Sequence, residues 1–155
     1  MSVKTIPLKG TYSNGNFEKT TSMSKDAVWE NIIEFFAKNG LPIKLIDRSS
    51  GLIISNESYL TWTFENSKGQ LQNPQAWVVL AKQINPNNKT PIKYQVVTGE
   101  WNVRIKSTPA NETLINVNLV NVKYTSMFTT TATQFIPGMF QSTGVFENRI
   151  YDTIK

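Results

Sequence analysis

One stretch, Ser24 to Asn39, constrains this chain more than any other. Ser24 is a good helix N-cap, Met23 and Val28 are spaced for a hydrophobic staple, and Gly40 with Pro42 stops the helix. Val28, Trp29, Ile32, Ile33 and Phe36 recur at i, i+4 and i+8, which gives one face a bulky apolar stripe. Such a face has to be covered, and the sequence that follows supplies the cover, so the spacing predicts a helix laid across a sheet.

Strand signals follow in quick succession. Ile43 to Asp47 and Leu52 to Asn56 flank the turn formers Arg48, Ser49, Ser50 and Gly51 and read as a hairpin. Tyr59 to Phe64 alternates Leu60, Trp62 and Phe64 against Thr61 and Thr63, as a half-buried strand does. Trp77 to Gln83 is apolar enough at its start for a central place. Tyr94 to Thr98, Glu100 to Lys106 and Leu114 to Val122 complete a meander-like antiparallel sheet with one wet face. The connections Asn66 to Pro74 and Asn85 to Pro91 are rich in Asn, Gly, Ser and Pro and need no functional explanation. A second helix is expected from Gly144 to Ile154, with Phe146, Ile150 and Ile154 as its stripe and Ser142 or Thr143 as cap.

The fold class expected is therefore α+β, an antiparallel sheet gripping a long N-terminal helix with a C-terminal helix beside it. Residues 1–22 read as a lead-in segment or edge strand, and 23–155 as one α+β domain. At 155 residues the chain is long enough to bury roughly two thirds of its unfolded surface in one core.

Histidine and cysteine are both absent, which removes imidazole bases, thiol nucleophiles, disulfides and the usual zinc ligands. The acids are scattered, none with a recognisable partner, and Glu30 and Glu34 read as the wet side of the first helix. No Gly-rich phosphate loop or Asp-rich calcium loop is present. An enzyme is not expected, and no cofactor is implied. The 16 basic residues outnumber the 11 acidic ones, a net charge of +5 spread along the chain, which mildly favours anionic partners. Nucleic acid is disfavoured because the tryptophans alternate onto the buried side of their strands instead of offering stacking platforms. No apolar stretch approaches the ~20 residues of a membrane span. The turn-rich lead-in with Gly10, Asn14, Gly15 and Asn16 is compatible with a mature envelope protein whose export segment has been cut off, and it does not decide localisation.

One region does not read as plain scaffold. Thr125 to Gln141 holds Met127, Phe128, Phe135, Ile136, Met139 and Phe140 among threonines, with Pro137-Gly138 as a breaker. Two readings stand: a loop folded back over the open edge of the core, or the lining of a groove for a peptide, a lipid-like ligand or a partner protein. A second candidate surface is the strand face with Arg104 and Lys106, joined by Lys93 and Lys123, which has the chemistry to contact an anionic surface and equally that of a solvated face.

The run Ser24-Lys-Asp-Ala-Val-Trp29, the helix to Gly40, and Leu45-Ile-Asp-Arg-Ser-Ser-Gly51-Leu-Ile-Ile54 resemble the opening of bacterial envelope lipoprotein domains. The comparison is with the helix-grip domain of BamC-type (NlpB-like) lipoproteins and similar lipoproteins of Bacteroides-type bacteria. Ser142-Thr-Gly-Val-Phe-Glu147 resembles the close of the latter. The resemblance implies an address in the periplasm or outer membrane, a lipid anchor upstream, and an accessory or scaffolding role. The expected function is binding of an envelope macromolecule, with a small apolar ligand or lipid carrier, its cavity between sheet and helix, as the alternative.

Overall fold

The structure, a computed structural model, describes residues 4–12, 17–127, 131–136 and 138–155. In chain order the elements are β1 (Lys4–Ile6), β2 (Phe17–Thr21), α1 (Lys25–Lys38), β3 (Ile43–Asp47), β4 (Leu52–Ser55), β5 (Ser58–Tyr59) and β6 (Trp62–Thr63). There follow β7 (Val78–Leu80), β8 (Lys82–Ile84), β9 (Tyr94–Ser107), β10 (Thr113–Ser126), β11 (Thr133–Gln134), β12 (Phe140–Ser142) and α2 (Val145–Asp152). The fold is α+β, with two helices and mostly antiparallel strands. Its residues gather into two compact units, 1–14, 59–99 and 121–143 in the first and 15–58, 100–120 and 144–155 in the second. The lead-in is divided between them: β1 belongs to the first and β2 to the second.

The second unit holds both helices. Ser24 Oγ accepts from Ala27 N–H at 3.2 Å and caps α1. At the other end Leu41 N–H reaches Phe36 O and Gly40 N–H reaches Ala37 O, with Gly40 at φ +64°, the paired bonds of a Schellman close. The buried face of α1 is Val28, Trp29, Ile32, Phe35 and Phe36; Ile33, expected in the stripe, is half-buried and Phe35 takes the inner place. The sheet runs in the order β2, β10, β9, β4, β3, so β3 is the outermost strand at that end. Register places Ile53 beside Val103 and Ile115 beside Lys19. Trp101, Val103 and Ile105 are fully buried, and Trp101 stacks on Phe146 of α2 at 3.9 Å. Phe35 meets the same ring edge-on at 5.5 Å. The side-chain cap expected for α2 is absent: Gly144 occupies the N-cap, while Thr143 Oγ1 donates to Ala76 O in the first unit.

The first unit contains strands and no helix among its described residues. β7 lies between β12, antiparallel, and β6, parallel, and β1 pairs antiparallel with β8. A single antiparallel meander is thus not what forms. The segment 59–64, expected as one strand, is interrupted because Leu60 N–H bonds to Val97 O whereas Thr61 O accepts from Trp77 N–H and Val78 N–H. The expected strand 77–83 divides at Ala81, whose N–H goes to Met139 O and whose O accepts from Tyr94 Oη. Conversely, the two strands expected at 94–98 and 100–106 are one, β9.

Candidate functional site

The first unit is built around an aromatic nest. Tyr94 is ringed by Trp62 at 6.0 Å, Phe64 at 6.0 Å, Tyr124 at 5.0 Å and Phe135 at 5.5 Å, mostly edge to face. Burial pushes the Tyr94 hydroxyl up, with the Tyr124 hydroxyl adding to the effect, so it stays a neutral donor to Ala81 O.

This packing divides the apolar segment proposed from the sequence. Phe135 is 4% exposed and Met139 7% exposed, so both are interior residues and not groove lining. Phe140 is half-buried and lies 6.1 Å from Phe135. Met127 and Ile136, at 71% and 64% exposed, stand outside that interior. Phe128 lies outside the described residues. The segment therefore divides, with Phe135 and Met139 folded into the unit's own core and Met127 and Ile136 left at its surface.

The unit's best-built polar feature was not legible in the sequence. Glu65 is 8% exposed and accepts from Lys9 N–H at 2.8 Å, Gly10 N–H at 2.7 Å and the Tyr12 hydroxyl at 2.5 Å. Burial alone would raise the Glu65 carboxyl; the bonds from Tyr12, Lys9 and Gly10 and the Lys9 charge outweigh it and hold the group below its ordinary value. Tyr12 responds in the opposite sense, pushed up to about 12 by burial first and by Glu65 second. The donors arrive from a segment more than fifty residues away in sequence. Beside this clasp lies an open cleft of about 220 Å³, with Ile6, Leu8 and Leu80 for its apolar part and Lys9 and Lys82 for its charge.

The four basic residues fall in different places. Arg104 and Lys106 share the outward side of β9 in the second unit and line one concavity with Glu18, Leu114 and Asn116. Lys93 and Lys123 belong to the first unit, Lys93 exposed just before β9 and Lys123 half-buried opposite Gln134. Among the described residues no three Asp or Glu side chains gather as a metal site would require, and no helix is long and apolar enough to cross a membrane.

No protein-family model and no curated protein sequence matches the chain.

Proposed function

We propose that this chain is a non-catalytic binding protein that engages a partner protein through apolar side chains at its surface, in an accessory role in the cell envelope. The observation that carries the reading is a filled interior beside exposed large apolar groups. In the second unit Trp101, Phe36 and Phe146 are fully buried and occupy the space between helix and sheet where a carrier would keep its cavity. Meanwhile Met127 and Ile136 in the first unit, and Leu45 and Ile46 on the outermost strand β3 of the second, are all exposed. Single exposed apolar residues are ordinary. A strand with one neighbour and apolar side chains toward both faces is less so, because its outer backbone groups can accept an added strand.

The envelope address and an upstream lipid anchor rest on the resemblance of Ser24 to Trp29 and of Leu45 to Ile54 to the BamC-type domains. The order of the second unit supports reading it as a helix-grip arrangement, since α1 follows the first strand, α2 follows the last, and β2 pairs with β10.

The test is capture from envelope extracts by the wild-type protein and by two double variants, Met127→Glu with Ile136→Glu and Leu45→Glu with Ile46→Glu. Loss of the same captured protein in one variant, with its thermal midpoint unchanged, is the expected result. Equal capture by both variants, or a purified protein that carries a stoichiometric lipid in native mass spectrometry, would overturn the reading.

A further inference from the structure

The outward face of the second unit's sheet carries two neighbouring cations, Arg104 and Lys106. Alternation along β9 buries Trp101, Val103 and Ile105 and leaves Arg104 and Lys106 exposed on the other side. Neither side chain has an ion pair or hydrogen bond among the described residues. Two like charges on one face of a strand repel.

What surrounds them gives the pair a shape. Arg104 and Lys106 border a concavity of about 170 Å³ whose remaining lining is Leu114, Asn116 and Glu18. Strand order sets their relation: β10, with Leu114 and Asn116, lies between β9, with the two cations, and β2, with Glu18. Glu18 is directly opposite Asn116 in the register. Asn118 Nδ2 donates to Asn116 Oδ1 at 2.7 Å and fixes the orientation of that carboxamide in the middle row. Two strand spacings, roughly 10 Å, separate the positive wall from the negative one at the backbone, and side chains of this length narrow the gap. A site of this volume is below the ~300 Å³ at which drug-sized pockets begin, so it suits a head group and not a larger ligand.

We propose that this cleft binds a small phospho-amine zwitterion, its phosphate between Arg104 and Lys106 and its ammonium toward Glu18. A simple anion would answer only one wall and would be opposed by the other; a zwitterion answers both. The same chemistry occurs in a free phospho-amine and in the head group of an ethanolamine lipid.

Backbone amide shifts of Glu18, Arg104, Lys106 and Asn116 would be followed by NMR at neutral pH during titration with O-phosphoethanolamine and, separately, inorganic phosphate. Both are expected to saturate, with phosphoethanolamine tighter by roughly two- to fivefold, the range of one exposed ion pair. Glu18→Gln should erase the preference, weakening phosphoethanolamine and strengthening phosphate. Arg104→Gln with Lys106→Gln should abolish both responses with no change in thermal midpoint. Equal affinity for the two ligands in the wild type, an unaltered response in the double variant, or no saturable shift would each overturn the assignment. Co-sedimentation with phosphatidylethanolamine vesicles, but not with phosphatidylcholine alone, would assign the source to a lipid; saturation in solution without co-sedimentation would assign it to a free phospho-amine.

Discussion

Glu65 shows how one carboxylate can tie a distant segment of chain to a loop. Its oxygens take two backbone N–H donors and one phenol, and charged acceptors make the stronger hydrogen bonds of folded proteins. Glu65→Gln keeps the shape and removes the charge, and should cost about 1–3 kcal/mol at neutral pH by urea denaturation. Because the folded group sits below its ordinary value of 4.5, its contribution is fully present above that value and is lost as pH falls through the lowered one. The variant and the wild type should therefore converge in acid. Tyr12 gives the alkaline counterpart. A phenol pushed from 10.0 to about 12 stays protonated longer when folded, so stability should decline from about pH 10 upward, and Tyr12→Phe should show a shallower decline, the remainder coming from Tyr94, which burial also pushes up. Neither effect was legible in the sequence: Glu65 read as one more scattered acid, and two of its three donors are main-chain groups that leave no mark on residue identity. Met127 and Phe135 failed to separate for a similar reason, since composition marks a segment as apolar without saying which of its side chains a neighbouring ring will cover.

Elements whose determinants are local were the ones the sequence specified well. Helix α1 begins and ends where Ser24 and Gly40 say it should, and Ser24→Ala should cost about 1 kcal/mol in thermal or chemical denaturation. The turn between β3 and β4 is equally local: Asp47 accepts from Ser49 and Ser50, bonds that hold its carboxyl below the ordinary range. Gly51 in that turn sits at φ +71°, and a Cβ there would lie 2.0 Å from Ile105 O. Gly51→Ala thus combines a left-handed backbone with a collision against β9 and should destabilise by about 2–4 kcal/mol in the same assay. The strands of the first unit were less legible, because Leu60, Thr61 and Ala81 hydrogen-bond to partners far along the chain that no local alternation encodes. The parallel pairing of β6 with β7 has the same origin.

For the whole molecule the governing fact is that each unit is made of three separate stretches of chain. Strands β9 and β10 each supply residues to both units, the first unit taking 94–99 and 121–126 and the second 100–107 and 113–120. Unfolding either unit removes the order of strands that the other needs. Fluorescence of a variant retaining only Trp62 and of one retaining only Trp101 should report coincident denaturation midpoints. Separate midpoints would show that the halves of β9 and β10 order independently. The alternation read from the sequence located most of these strands but carried no information on the division, because exchange between two cores leaves the period of two intact.

That interleaving also dictates how the protein can be made. As the chain leaves the ribosome, β2 has to wait for residues 113–117 before its ladder can form, and α1 lacks Phe146 until residues more than a hundred positions later have been made. Domain-by-domain folding during synthesis, the usual protection of larger chains, is closed to this one. Until those partners are made, the apolar face of α1 and the strand β2 stay uncovered, so the order of the chain exposes its most apolar helix long before the ring that covers it exists.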